Sequence, residues 1–165
     1  MLFRSVRQTA GWNSLAQSAS GLIDFWYNGR FKGEMSLNLT GTRRLILRQD
    51  STATGCVDVA ESAILCFTNS ANWATATNVA VRANGRIEAW NGNVLGRDTD
   101  LTLADSGIYE FCGAGPYVQK VRYLWLNGEQ RKTGEFTSAN SGGRIVGNGK
   151  ILVLGDGKGL TLIFR

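Results

Sequence analysis

At 165 residues the chain suits one domain, or a piece of a longer protein, and is long enough to bury a sizeable core. Hydrophobic residues make up 43%, too many for a disordered tail, and the longest apolar runs, such as Ile151-Leu152-Val153-Leu154, fall far short of the roughly 20 residues of a membrane-crossing helix. The net charge of +5 comes from scattered Arg and Lys with no run longer than two, which points to a solvated, mildly basic surface and at most weak, non-specific polyanion binding.

Residues 1–20 are polar and fit no repeat, so they read as an atypical N-terminal segment. Leu2-Phe3-Arg4-Ser5 resembles a translated sequencing-library adapter, so residues 1–5 are expected to be non-native and the chain a fragment. Met1 to Gln17 holds no apolar stretch of the kind a secretory signal needs. Residues 21–165 read as one domain. Its first stretch, Gly21 to Lys32, is aromatic-rich (Phe25, Trp26, Tyr27, Phe31) and is expected to cover the open end of a stack of repeats.

The repeats run through the middle of the domain. Val57-Asp58-Val59, Val79-Ala80-Val81 and Leu101-Thr102-Leu103 recur every 22 residues. A second series, Leu45-Ile46-Leu47, Leu65-Cys66-Phe67, Ile87-Glu88-Ala89 and Tyr109-Glu110-Phe111, interleaves with steps of 20, 22 and 22. No helical periodicity competes beyond residue 20, and 21 Gly against the single Pro116 supply turns. Gly41, Gly85 and Gly107 precede strands of the second series, where a positive φ would turn the chain. Two strand series with one period make an all-β fold, a right-handed parallel β-solenoid (β-helix) with coils of about 22 residues and capped ends. An antiparallel β-sandwich is the alternative, because Asn84-Gly85, Asn91-Gly92 and Asn127-Gly128 are hairpin-type dipeptides. At the far end, Lys150 to Leu154 and Leu160 to Phe164 read as two strands joined by the Gly-rich turn 155–159.

Three segments then carry a resemblance. Leu124-Trp125-Leu126-Asn127-Gly128, Thr133-Gly134-Glu135-Phe136-Thr137 and Ile145-Val146-Gly147-Asn148-Gly149-Lys150-Ile151-Leu152-Val153, in that order, resemble the closing segment of bacterial autotransporter-like, passenger-type β-solenoid repeat proteins. With the coils before them, the likeness spans roughly residues 36–154. It implies an extracellular or cell-surface location and a role in adhesion or carbohydrate contact, and it carries over no catalytic residue.

The sequence contains no His, so Ser–His and Cys–His nucleophile pairs are excluded. Cys56, Cys66 and Cys112 lack CxxC spacing and read as small buried hydrophobes, with one disulfide as the alternative; neither a metal nor a cofactor is expected. Asp98, Asp100 and Asp105 could build a glycosidase pair or a Ca²⁺ site, but read more simply as solvated turn residues. Asn148 and Asp156 lie in Gly-rich stretches that fail the phosphate-loop pattern.

Candidate site residues come from strand parity. If Ile87 and Ala89 face inward, Glu88 and Trp90 face outward. In the last coil a strict period of 22 would bury Tyr123 and Trp125, whereas Leu-x-Leu buries Leu124 and Leu126 and turns the aromatics out; the leucines are the better core. Trp90, Tyr123, Trp125 and Glu88 are therefore the expected carbohydrate-contact residues. The reading is a non-catalytic extracellular solenoid module, acting as spacer, adhesin or glycan-contact surface for a polysaccharide or cell-surface glycan. The rival is a fragment of a polysaccharide lyase or glycoside hydrolase of β-helix fold.

Overall fold

Apolar residues at alternate positions, repeated at one period, can be buried only if each coil lies on the last. The computed structural model, which describes residues 12–15 and 23–155, has this arrangement: an all-β solenoid of about five turns with strands stacked in parallel about 22 residues apart.

Strands are numbered along the chain. The first wall stacks β1 (Trp12–Leu15), β4 (Ser36–Leu39), β7 (Val57–Val59), β9 (Asn78–Val81), β11 (Asp100–Leu103) and β14 (Tyr123–Leu126) in parallel. A short antiparallel strand, β15 (Glu129–Gln130), closes it. The second wall stacks β2 (Ile23–Tyr27), β5 (Arg43–Leu47), β8 (Ile64–Phe67), β10 (Arg86–Ala89), β12 (Ile108–Phe111) and β17 (Ile145–Gly147). The third side is irregular. It holds β3 (Lys32–Gly33) on β6 (Thr52–Ala53), a lone bridge between Trp73 and Leu95, and β13 (Tyr117–Val121) on β18 (Gly149–Val153), with β16 (Gly134–Phe136) antiparallel to β18.

The inward positions form continuous columns. Leu37, Val57, Val79, Leu101 and Leu124 share one on the first wall, and Leu39, Val59, Val81, Leu103 and Leu126 share the next; all are buried. Leu124 and Leu126 take the inward slots because the final coil is one residue longer, so Tyr123 and Trp125 turn outward. Leu45, Leu65, Ile87, Tyr109 and Ile145 line the second wall in the same way. Phe31 stacks between Tyr27 (centroids 4.5 Å apart) and Trp73 (5.1 Å), and fills the third side.

Three expectations are refined. Trp12–Leu15, within the segment that fits no repeat, pairs in register with β4 as part of the stack. Gly21 to Lys32 was expected to cover the open end, but from Ile23 it forms β2, a further strand of the second wall. The corners do not depend on glycine φ as expected. The three turns that follow β7, β9 and β11 each close with an i to i+3 hydrogen bond, Ala63 N–H to Ala60 O, Gly85 N–H to Arg82 O and Gly107 N–H to Ala104 O. The positive φ falls on non-glycine pairs: Glu61 and Ser62, Ala83 and Asn84, Asp105 and Ser106. Of the three glycines named, only Gly41 has positive φ, at 82°. Gly85 and Gly107 serve close approach instead, since a Cβ would lie 2.3 Å from the Val59 carbonyl oxygen or 2.0 Å from that of Val81. Asn127-Gly128 forms a true antiparallel hairpin, and it ends the first wall rather than building a sandwich. The segment Leu160 to Phe164 lies outside the described residues.

Candidate functional site

The stacked parallel strands put every outward side chain into a ladder with rungs about 4.8 Å apart. On the second wall one ladder reads Asp24, Arg44, Ile64, Arg86, Ile108, and the next Trp26, Ile46, Cys66, Glu88, Glu110. Trp90 follows β10 at the edge of this face.

Trp26 and Trp90 are the exposed large hydrophobic residues among those described, at 55% and 40% exposure. Between them runs a groove of about 320 Å³ with Ile46 and Cys66 in its lining and Asp24, Arg44, Thr68 and Asn69 supplying polar atoms. Trp26 and Trp90 lie on coils separated by three strand spacings, roughly 14 Å along the axis. Arg48 lies over the Trp26 ring, 5.3 Å from its centroid, and steadies that indole.

Glu88 faces outward as strand parity requires, yet it is buried beneath its ion pair with Arg44. That pair reaches across the intervening strand β8. Burial works against the Arg44 charge, but the Glu88 hydrogen bond and charge outweigh it and hold the guanidinium above its ordinary pKa. Arg86 pairs in turn with Glu110. The Cys66 thiol is pushed up to about 11, first by burial and then by the Glu88 charge, and Cys112 to about 12, first by burial and then by Glu110. These are not nucleophiles at neutral pH. Cys56, Cys66 and Cys112 are all free thiols.

Tyr123 and Trp125 lie on a different wall. They are half-buried on the outer face of β14, opposite Asp100 and Thr102 of β11. Beside them is a smaller groove of about 240 Å³ lined by Asp58, Asn78, Ala80, Asp100 and Thr102 among others. Its carboxylates are taken: Arg82 holds Asp58, and Arg122 grips Asp100 with two hydrogen bonds of 2.7 Å. The four expected contact residues are thus split, with Glu88 and Trp90 on the second wall and Tyr123 and Trp125 on the first. Asp98, Asp100 and Asp105 do not converge either, since Asp98 is exposed beside Arg97 and Asp105 sits in a corner turn. Among the described residues, no three His, Cys, Asp or Glu side chains are grouped to hold a metal ion.

Trp26, the partner of Trp90 in this groove, was not among the expected contacts. Its signal was present, because Phe25 and Tyr27 stand one coil before Leu45 and Leu47 and take their inward slots, which sends Trp26 out. No protein-family model, curated protein or solved structure matches this chain.

Proposed function

We propose that this chain is a non-catalytic module of an extracellular or cell-surface solenoid protein of the autotransporter passenger type, and that it contacts a glycan through the groove between Trp26 and Trp90. The observation that carries the reading is the pair of exposed indoles at the two ends of one groove. Exposed aromatic faces keep an unfavourable hydration that the apolar face of a sugar ring relieves, while Asp24, Thr68 and Asn69 offer hydroxyl groups their hydrogen bonds.

The rival enzyme reading has one feature in its favour. Glu88 and Glu110 are register partners on adjacent strands, at a spacing close to the roughly 5 Å of a retaining glycosidase pair. Each is instead committed to its own arginine, and neither lines the groove. Among the described residues, seven Arg and Lys side chains are drawn into ion pairs, which supports weak polyanion binding at most.

The test is glycan retention by the wild-type chain and by Trp90→Ala. The variant is expected to lose retention while unfolding within about 2 kcal/mol of wild type, because a side chain left 40% exposed contributes only part of a core indole. Retention unchanged in Trp90→Ala, or new reducing or unsaturated ends released from the glycan, would overturn the proposal.

A further inference from the structure

The groove on the second wall has a direction and a charge, and both constrain what it holds. Its two indoles stand on coils three strand spacings apart, so its long dimension follows the solenoid axis and crosses β5 and β8 between them. A ligand touching both rings must span roughly 14 Å. Single sugar rings reach one indole or the other, and only a chain reaches both.

The charges around the groove cancel. Asp24 is the register partner of Arg44 on the neighbouring strand, Arg44 is tied to Glu88, and Arg48 lies over the Trp26 face. Two carboxylates stand against two guanidinium groups. Arg44 is already tied to Glu88, so a ligand carboxylate would have to compete with a part-buried ion pair to use it. Ile46 and Cys66 add no charge between them, Cys66 because its thiol stays protonated at neutral pH.

Resting on the glycan-contact reading, we infer that the groove takes a linear, uncharged polysaccharide laid along the solenoid axis and gripped within the chain at Trp26 and Trp90. The two contacts act as linked weak sites. Once one ring is stacked, the other is presented at high local concentration, so affinity depends on ligand length. An acidic polymer gains no net attraction here, because two carboxylates balance two guanidinium groups around the groove and Arg44 is held by Glu88.

The experiment titrates wild type, Trp26→Ala and Trp90→Ala with neutral gluco-, manno- and xylo-oligosaccharides of two to six units, following intrinsic tryptophan fluorescence and calorimetric heat. Oligogalacturonates of equal length are the charged comparison. In wild type the best neutral hexamer is expected to bind roughly tenfold or more tightly than its dimer, as linkage of two weak sites requires. Either substitution should flatten that length dependence and leave weak binding at the remaining indole. Oligogalacturonate should bind no more tightly than the neutral hexamer at low salt. Equal affinity for dimer and hexamer overturns the two-point grip while leaving the glycan-contact reading in place. Tighter binding of the charged series overturns the charge assignment. A concentration-dependent dimer in light scattering that Trp90→Ala abolishes makes the groove a contact between copies of this chain. Absence of binding by every neutral series overturns this inference together with the reading beneath it.

Discussion

Replacing Gln119 with leucine tests how the irregular third side is held. At Leu95 this side lacks a regular strand partner on the following coil, and the fully buried Gln119 side chain stands in for one. Its Nε2 donates to the Leu95 carbonyl at 2.9 Å and to the Lys120 carbonyl at 2.7 Å. Its Oε1 accepts from the Leu95 N–H at 3.0 Å and from the Tyr109 hydroxyl at 3.1 Å. Gln119→Leu keeps most of the volume and orphans three buried groups, the Leu95 N–H, the Leu95 carbonyl and the Tyr109 hydroxyl. Each unsatisfied group costs about 1–3 kcal/mol, and local relaxation recovers part of that, so about 4 kcal/mol is expected. For a chain of this size that lowers Tm by roughly 8–16 °C. Urea unfolding followed by circular dichroism measures it. Tyr109→Phe supplies the cross-check: it should cost about 1 kcal/mol in wild type and almost nothing in the Gln119→Leu background, where its acceptor is already gone. A Gln119→Leu chain within about 1 kcal/mol of wild type would refute the idea that this amide replaces a strand.

Gly107→Ala would set a Cβ 2.0 Å from the Val81 carbonyl oxygen, amid the hydrogen bonds Ala104 N–H to Val81 O and Ile108 N–H to Gly85 O, and should destabilise by about 3 kcal/mol. Gly142→Ala, at φ 62° with open space around it, should cost only about 1–2 kcal/mol in the same unfolding assay; equal losses would show that the Val81 approach is not tight. Val79→Asp places a charge in the buried column between Val57 and Leu101 and should cost about 4 kcal/mol or more; a chain as stable as wild type would remove Val79 from the core. The Cys66 thiol, raised from 9.0 to about 11, should alkylate with iodoacetamide roughly a hundredfold more slowly than free cysteine near pH 8. Because its folded pKa is the higher one, the stability it contributes is intact below pH 9 and is lost as pH rises towards 11; mass-spectrometric labelling at the free-cysteine rate would contradict its burial.

The two regular walls were legible because a parallel stack imposes one period on both. Val57, Val79 and Leu101 announce their column by spacing alone. The longer last coil broke that spacing, and there the chemistry of Leu124 and Leu126 against Tyr123 and Trp125 gave the right parity. The third side was not legible, since its members differ in kind: a bridge at Trp73 and Leu95, a two-residue strand at Thr52–Ala53, and a glutamine side chain in place of backbone. The corner turns misled for a related reason. Glycine is the usual marker of positive φ, but here a Cβ is excluded by the neighbouring coil at Gly85 and Gly107, while Ala83 and Asp105 carry the strained angle. Parity placed Glu88 and Trp90 on the outer face, but it could not say that Glu88 would lie beneath an arginine; the period, which carries Leu101 and Leu103 on to the last coil, already set Tyr123 and Trp125 on the other wall.

The Arg44–Glu88 pair skips a coil, and that alters how the molecule should come apart. In a stack where each coil touches only its neighbours, unfolding resembles the opening of a zipper, one tooth at a time from either end. A tie between strands two places apart links three teeth at once: β5 cannot leave while Glu88 holds its arginine, and β8 is enclosed between them. Under a pulling force along the axis, this stretch would yield as a single larger step, with shorter steps on either side.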